Sequence, residues 1–231
     1  MKPARKPRPD SLRKRLSILD AAARAIAERG FHGMSMRDLA GETGQALASF
    51  YNYFSSKEEL LFQIQSSAFR TMIAGLEDAL RGLTSPRDRL FAFIYQHARY
   101  VAEHPDVMRV LVHEASALPP RERAKVRTLK EKYYGLGRDI VAALAGTAGT
   151  PQDPRELERL TYGIFGMLNW VYGWYDPARH GSPGEVAHSL HRLVLGGVTS
   201  PSAAFLDRES TDIERRLSLC EPLSLFGPEV P

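Results

Sequence analysis

Apolar residues recur at helical spacing along most of the chain, and this periodicity constrains its fold more than any other feature. After Ser56, six of them fall on a single helical face: Leu60, Leu61, Ile64, Ala68, Met72 and Leu76. Comparable faces follow between residues 85 and 101, 119 and 144, and 155 and 175. No run shows the clear alternation of apolar and polar residues that is typical of a half-buried strand. The sequence therefore predicts an all-α fold.

Glycines and small polar residues divide the N-terminal end into three helices. Apolar spacing predicts the first helix over Leu12–Arg29. Ser35 is a predicted N-cap of the second helix because Asp38 follows three residues later, as in a capping box. Gly44 is placed to end that helix, and a third short helix is predicted from about Ala46 to Tyr53. This succession is typical of a helix-turn-helix.

Basic charge is concentrated at the N-terminal end of the chain. Residues 1–60 hold 11 Lys and Arg against 7 Asp and Glu, whereas the remaining residues hold 20 of each, so the net charge of +4 lies at this end. Prolines alternate with basic residues at the start, which predicts a flexible basic arm over residues 1–11. The asymmetry indicates a polyanionic partner, with a solvated tail that has no partner as the alternative.

Several classes of protein are disfavoured by composition. No stretch approaches the roughly 20 apolar residues of a membrane span, and no apolar block follows the basic N-terminus as it would in a secretory signal. Cys220 is the single cysteine, which excludes an intrachain disulfide and a CxxC metal or redox site. We therefore expect a cytoplasmic protein with no membrane association.

The sequence also lacks the common motifs of enzymes. Neither a GxSxG nucleophile elbow, nor a GxxxxGK[ST] phosphate loop, nor an HExxH zinc motif occurs. Two histidine pairs at helical spacing, His188 with His191 and His97 with His104, could bind a metal, but helical histidines are more often core or interface residues. We predict no catalytic site, no cofactor and no metal. A helical scaffold or adaptor protein is the rival to a DNA-binding protein.

Four segments of the chain resemble the N-terminal domain of the TetR/AcrR family of transcription regulators. They are Arg15–Ala22, Glu28–Phe31, Ser35–Ala40 and Phe50–Leu60, the last of which is similar to that family's Y-x-x-F-x-S-K-E-x-L ending. The resemblance covers roughly residues 12–62. It implies a repressor that leaves a palindromic operator in double-stranded DNA when a small hydrophobic effector binds. The implied divisions are a helix-turn-helix domain over 12–58, an effector-binding and dimerisation domain over 59–198, and a Pro/Ser-rich tail over 199–231.

The same resemblance implies which residues contact DNA. The third helix would face the bases through Ala46, Leu47, Ala48, Ser49, Tyr51 and Asn52, while Phe50 and Phe54 pack inward. Contacts to phosphates are implied for Tyr51, Tyr53, Lys57, Arg37 and the start of the second helix at Ser35. A purely structural three-helix module is the alternative.

This third helix departs from the family pattern. Ala46 stands where a small polar residue is usual, so it offers no side-chain cap, and Leu47 and Ala48 replace the Lys or Gly that are common there. We therefore expect specificity to depend on thymine methyl groups, on Ser49 and Asn52, and on the basic arm.

The C-terminal half offers aromatic and apolar candidates for an effector pocket, although most such residues belong to a core. They are Phe93, Tyr95, Met108, Leu111, Tyr133, Tyr134, Phe165, Met167, Trp170 and Trp174. The run from Gly166 to Tyr175 is similar to that of family members that respond to acyl-CoA thioesters, which implies such an effector. Its phosphates would need cations, for which the candidates are Arg99, Arg109, Arg127, Lys130 and Arg138. The resemblance also implies a homodimer through helices at about 155–176 and 183–196.

Overall fold

The computed structural model describes residues 9–147 and 153–199, and within these ranges the chain forms helices and no strand. The predicted all-α fold is confirmed. No helix in this part of the chain is both long enough and apolar enough to cross a membrane. The helices are α1 Pro9–Arg29, α2 Met36–Glu42, α3 Leu47–Tyr51, α4 Lys57–Ala79, α5 Pro86–Glu103, α6 Pro105–His113, α7 Pro120–Thr147, α8 Pro154–Asn169, α9 Val171–Trp174, α10 Pro177–His180 and α11 Pro183–Thr199.

The first three helices contribute to the main hydrophobic core, which continues into the rest of the chain. Ile18 and Ile26 of α1, Leu39 of α2, and Phe50 of α3 with the following Phe54 are almost fully buried in it. The inward packing predicted for Phe50 and Phe54 is therefore confirmed. Burying a side chain of this size contributes about 1.5–3 kcal/mol, so a few residues hold the short α2 and α3 in place.

The structure corrects the prediction at the start of α1. The helix begins at Pro9 instead of Leu12, because a proline in the first turn lacks only an N–H that has no helical partner there. Leu12 and Leu16, which were expected on the buried face, are 49% and 51% exposed. Burial on α1 begins at Ile18, while Arg15 in the turns before it packs over the Phe54 ring. The rest of the predicted arm, residues 1–8, and the predicted tail from residue 200 lie outside the described residues.

The larger domain is built around α5 and α7. Helix α11 packs mainly against α5, α4 packs against both α5 and α7, and α8 lies against α7. Ser56 and Ser85 cap α4 and α5 as the sequence indicates, each accepting a hydrogen bond from the backbone amide three residues later. All six residues of the predicted apolar face of α4 are buried.

The helix predicted from about Arg155 to Tyr175 is interrupted. Asn169 ends α8, Trp170 forms a junction, and Val171 begins the short α9. Val171 is buried against Val101 and Met108, which belong to α5 and α6. Packing therefore redirects the chain after Trp170, because Val171 gains apolar contacts on α5 and α6.

Candidate DNA interface and effector site

A capping box fixes the start of α2. The Ser35 hydroxyl accepts a hydrogen bond from the Asp38 amide at 3.2 Å, and the Ser35 amide donates to Asp38 Oδ2 at 2.9 Å. The Ser35 hydroxyl also donates to that carboxylate. These bonds lower the pKa of Asp38 below its ordinary value, so the carboxylate stays ionised. The Ser35 side chain is thus committed to the cap, and exposed Arg37 is the better placed of the two for a phosphate.

Helix α3 lacks a side-chain cap, as expected from Ala46. The backbone at Ala46 is extended, which suits an N-cap, but no side-chain hydrogen bond reaches the first turn. Phe50 and Phe54 are buried and anchor α3 in the core. The Arg15 guanidinium lies 5.2 Å from the centre of the Phe54 ring. The helix is therefore positioned by packing.

Most of the residues predicted to face the bases lie at the surface. Ala46, Ala48, Tyr51 and Asn52 are exposed, and Ser49 is half-buried. Leu47 and Tyr53 are half-buried as well, and both pack against the main core. The outer face of α3 thus presents one phenol, one amide and one hydroxyl beside small apolar groups, a surface suited to a major groove.

Lys57 is engaged inside the protein. Its Nζ donates hydrogen bonds to the carbonyl oxygens of Phe31 and Met34 at 3.3 and 3.4 Å, and it lies 4.6 Å from the centre of the Phe31 ring. This arrangement ties the start of α4 to the loop between α1 and α2. These partners compete with a phosphate for the Lys57 amino group. The implied contact of Lys57 to a DNA phosphate stays a prediction.

One acidic residue joins the two halves of the chain. Glu114, which follows α6, accepts a hydrogen bond from the Phe31 amide on its Oε1 at 3.0 Å. Its carbonyl oxygen accepts another at 3.0 Å from Nε2 of Gln65, a buried residue of α4. The loop before α2 is therefore fastened to the end of α6, and nothing in the sequence pattern signals this pairing.

Three predicted effector residues meet in one buried aromatic cluster. The Phe93 ring lies 5.4 Å from that of Phe165 and 6.1 Å from that of Tyr133, measured between ring centres. Tyr134 stacks on the outer side of Phe165 at 5.5 Å. Side chains fill this space tightly, which makes it a packed core in this structure.

A histidine that the site prediction missed lies in the same aromatic cluster. His97 is 1% exposed, and its Nδ1 lies 3.0 Å from the Tyr133 hydroxyl. Its Nε2 is buried without a hydrogen-bond partner. Burial lowers the pKa of His97 to about 4, and a hydrogen-bonding interaction with the Asn169 side chain opposes this shift. The ring is therefore neutral near pH 7. Its place on the apolar face of α5 was the available signal.

The other predicted effector residues lie elsewhere. Met108 is buried in a second small cluster with Val101 and Val171, and Leu111 packs against its edge. Tyr95 is half-buried and packs against the Phe91 ring at 6.0 Å. The exposed members are Met167, Trp170 and Trp174, with Trp170 reaching 61% exposure. The structure therefore does not gather the ten candidates into one pocket.

A groove of about 470 Å³ runs along the surface between α7 and α8. Tyr134, Arg138, Leu157 and Glu158 are among the residues that line it. Four of the five candidate cations make ion pairs on their own helices, namely Arg99, Arg109, Arg127 and Arg138. These pairs are exposed and so contribute little to stability, which leaves the guanidinium groups available to a phosphate.

The two histidine pairs serve as packing residues. His188 and His191 both lie against the Phe91 ring, at 4.6 and 5.3 Å between ring centres. His104 packs against Tyr100, away from the partners of His97. Among the described residues, no group of three or more His, Cys, Asp or Glu side chains is arranged to hold a metal ion.

Comparison with known proteins identifies the fold and the family. The model of the N-terminal domain of the bacterial regulatory proteins of the tetR family matches residues 18–64. The model of a tetracyclin repressor-like C-terminal domain matches residues 83–198, about half of the chain. The chain belongs to the TetR family. As a member of this family, the protein is a DNA-binding transcriptional regulator.

Named relatives span most of the chain. The HTH-type transcriptional repressor KstR2 of Mycolicibacterium smegmatis is 26% identical over 195 residues, which cover 80% of this chain and 91% of that protein. The HTH-type transcriptional regulator BetI of Rhizobium meliloti is 32% identical over 163 residues, which cover 69% of this chain and 76% of that protein. Among solved structures, AibR in complex with isovaleryl coenzyme A and operator DNA has a TM-score of 0.68 at 22% identity, covering 81% and 99% of the two chains.

The TetR-family assignment bears on the exposed faces of α8 and α11, because regulators of this family act as dimers. Residues of α8 exposed at helical spacing include Tyr162, Gly163, Gly166 and Met167, and Trp170 follows on the same face. On α11, Leu193 is 65% exposed, and Gly196 and Gly197 have open space beside them. Both helices lie against α5 and α7 and turn these faces outward.

Proposed function

We propose that this regulator represses transcription as a homodimer and leaves its operator when an acyl compound, of the acyl-CoA thioester class, binds its C-terminal domain. The observation that carries the proposal is the joint at Glu114, a pair of hydrogen bonds that connects the loop before α2 to the end of α6 and to Gln65 of α4 in the C-terminal domain. A regulator acting on the bacterial chromosome works in the cytoplasm. The proposed domains are 9–58, which includes the first residues of α1, and 59–198.

Operator recognition rests on the outer face of α3. Asn52 and Ser49 offer hydrogen bonds to base edges, Ala46 and Ala48 fit thymine methyl groups, and Tyr51 reaches the backbone. The proposed remaining contacts are Leu47 to the bases, and Tyr53, Lys57, Arg37 and Ser35 to the phosphates. In a symmetric dimer two such helices would read half-sites about 34–36 Å apart.

The exposed faces of α8 and α11 are the proposed dimer interface. Large apolar groups such as Trp170 and Leu193 are costly in water, and a second copy would cover them. The glycines along both faces would let the backbones of two copies approach closely. Met167 is therefore better explained by this interface than by the pocket for which it was proposed.

Two observations support an acyl-CoA effector. The run from Gly166 to Tyr175 is similar to that of acyl-CoA-responsive members, and a solved structure of the same fold, AibR, holds isovaleryl coenzyme A. The chain also provides an apolar interior at Phe93, Tyr133 and Phe165, and a groove lined by Arg138 at its surface. An acyl group fits the first. In the second, Arg138 is the one cation for a phosphate among the described lining residues, beside the carboxylates of Asp139 and Glu158.

Release of the operator follows from linkage. If the effector favours a conformation in which the joint at Glu114 shifts, then effector and operator must weaken each other by the same factor. Displacement of Glu114 would free the Phe31 amide and loosen the loop that precedes α2. The orientation of α3 would then no longer suit both half-sites at once.

The test measures binding to a labelled duplex from the region upstream of the regulator's own gene. We expect affinity that falls steeply with salt and drops roughly 5- to 100-fold for Asn52→Ala, with little change for the exposed Glu28→Ala of α1. Removal of residues 1–8 should flatten the salt dependence. A scaffold protein would show none of these effects.

The effector is tested by adding isovaleryl-CoA, hexanoyl-CoA, benzoyl-CoA, the matching free acids and CoA alone to the complex with the operator. We expect one of the thioesters to release the duplex, and the duplex to lower that thioester's affinity by an equal factor. Release by free acids alone would exclude the thioester class. Release by none of them would exclude acyl compounds of this size as effectors.

A further inference from the structure

His97 carries a buried polar atom, Nε2, that makes no hydrogen bond of good geometry with the described residues, although the Asn169 side chain interacts with the ring. The whole residue is 1% exposed. Leaving a buried donor or acceptor unpaired costs about 1–3 kcal/mol. Such groups are rare in native proteins, and each calls for a physical explanation.

The contact with Tyr133 indicates whether Nε2 of His97 is a hydrogen-bond donor or an acceptor. Tyr133 is buried, and the hydrogen-bond partner of its hydroxyl is Nδ1 of His97. A neutral imidazole has one N–H and one bare nitrogen. We assign the Tyr133 hydroxyl as the donor to Nδ1, because the hydrogen bonds of the described residues give it no other acceptor, and this assignment leaves the proton on Nε2. Nε2 is then an N–H donor without an acceptor at hydrogen-bond geometry among the described residues, in a cluster of aromatic rings where the Asn169 side chain is an interacting polar group.

Phe165 occupies the space beside this donor. Its ring centre lies 6.1 Å from that of His97 and 5.4 Å from that of Phe93. Gly137 makes room for it, because a Cβ at that position would lie 2.9 Å from Phe165 Cε2 and 3.0 Å from Phe93 Cζ. The absence of a side chain at Gly137 is thus what lets Phe165 fill the space.

The outer side of Phe165 faces Tyr134, which also lines the groove between α7 and α8. The hydroxyl oxygen of Tyr134 is also buried without a hydrogen bond of good geometry to the described residues, although the Thr161 side chain interacts with it. The rings of His97 and Tyr134 therefore both pack against Phe165, the first edge-on and the second stacked. A path from the groove to His97 would pass through the space that Phe165 now fills.

We propose that Phe165 is a displaceable plug, and that Nε2 of His97 donates a hydrogen bond to the carbonyl oxygen of the effector that takes its place. The inference rests on the proposed effector function and names the residue that recognises the ligand. The ligand class is an acyl compound whose carbonyl adjoins an apolar group about as large as a benzyl side chain. Its polar remainder extends past Tyr134 into the groove beside Arg138.

The first test removes the plug and uses two probes of nearly the same shape. Phe165→Ala in the full chain leaves a cavity beside His97. Acetophenone and α-methylstyrene are then titrated into this variant; the first has a carbonyl oxygen where the second has a methylene group. For each variant we measure the ratio of ketone affinity to hydrocarbon affinity. We expect this ratio to be roughly five- to tenfold higher in Phe165→Ala than in Phe165→Ala/His97→Leu, because one neutral hydrogen bond changes affinity by about this factor. The Nε2 resonance of ¹⁵N-labelled His97 should shift with the ketone alone.

Leu144→Ala provides the matched control. Leu144 is also fully buried and lies on α7 two turns beyond Gly137, about 10 Å along the helix. Its cavity should favour the hydrocarbon. An equal ratio in Phe165→Ala and in the double variant would overturn the proposal, as would an Nε2 resonance that ketone leaves unmoved. Phe165→Val replaces Phe165→Ala if the larger truncation prevents folding.

The second test separates this inference from the proposed function. Each of wild type and His97→Leu is titrated with the thioester panel while bound to the operator duplex, and its operator affinity without ligand is the reference. We expect the thioester concentration for half-release to rise at least fivefold in His97→Leu. Release of wild type with no change in His97→Leu would overturn the role of His97 and leave the proposed function standing. No release of wild type by any thioester would overturn the effector class, and with it this inference.

Discussion

The backbone amide of Phe31 donates a hydrogen bond to Oε1 of Glu114 at 3.0 Å, across 83 positions of the chain. Phe31 lies in the loop that leads into the helix-turn-helix, and Glu114 ends α6. The residue before it, His113, contacts the Tyr172 hydroxyl of α9 through Nε2 at 2.9 Å. Two consecutive residues, His113 and Glu114, therefore link the end of α6 to α9 and to the DNA-binding domain. A displacement of α6 would change its contacts with both.

Truncation of Glu114 should weaken both folding and operator binding. Glu114→Ala leaves the Phe31 amide without its acceptor, and we expect a loss of about 1–3 kcal/mol in the free energy of unfolding, measured by urea denaturation. Operator affinity should fall as well. Glu114→Gln keeps a carbonyl oxygen and should lose less. Glu103→Ala, which removes an exposed ion pair with Arg99, should change stability by less than about 1 kcal/mol; an equal loss would contradict the assigned role.

Ala46→Ser should stabilise the reader helix. Ala46 occupies the N-cap of α3 with suitable backbone geometry and no side-chain hydrogen bond. A serine hydroxyl could accept one of the free amides of the first turn, for a gain of about 0.5–2 kcal/mol, seen as slower hydrogen exchange in α3. The converse change, Ser56→Ala, removes a cap of α4 and should cost a similar amount. Faster exchange in Ala46→Ser would show that the cap geometry is not available.

Two glycines of α7 should respond oppositely to alanine. Gly135 has open space beside it, so Gly135→Ala should stabilise by about 0.5–1 kcal/mol through helix propensity. Gly137→Ala forces a methyl group against Phe165 and Phe93, and we expect a loss of about 1–3 kcal/mol from overpacking. Thermal unfolding of both variants measures the difference. Phe165→Leu should restore much of what Gly137→Ala loses, and a failure to do so would place the strain elsewhere.

Acid should destabilise the protein through His97. In the native state burial lowers the pKa of His97 from 6.5 to about 4. Below pH 6.5 the unfolded chain takes up a proton that the native state does not bind, so stability falls as the pH decreases from about 6.5 to about 4. The contribution approaches about 1.4 kcal/mol per pH unit within this window.

The pH effect is measured as the free energy of unfolding at intervals between pH 7 and pH 4.5. His97→Leu should show a shallower dependence than wild type, whereas the exposed His32→Gln should follow wild type. Burial also lowers the pKa of His191, which acts in the same direction in all three proteins. Identical slopes for wild type and His97→Leu would contradict the shift.

A charge on the proposed dimer face should separate the subunits. Leu193 is exposed on α11, and Leu193→Asp would bring two carboxylates into the interface of a symmetric dimer. We expect monomers in sedimentation experiments and much weaker operator binding, because one half-site is then read at a time. Val112→Asp introduces the same charge at an exposed position of α6 and should leave the dimer intact. Dissociation of both variants would point to a general loss of stability.

Local sequence alone determined most of the helices and their ends. The apolar period of α4, the cap at Ser35 and the glycine after α2 each act within a few residues, so each was predictable and each is found. The inward packing of Phe50 and Phe54 followed from their place in the helix-turn-helix pattern. Short-range hydrogen bonding and helical periodicity are sufficient for features of this kind.

The tertiary structure alone decided which side chains meet. Leu12 and Leu16 continue the apolar period of α1 but are exposed, because no other helix in the described part of the chain covers them. Trp170 interrupts a predicted helix because Val171 finds a buried place against α5 and α6. The bond from Phe31 to Glu114 and the unsatisfied Nε2 of His97 depend on helices that are distant in sequence. Burial and long-range pairing are set by the assembled helices, and no local pattern records them.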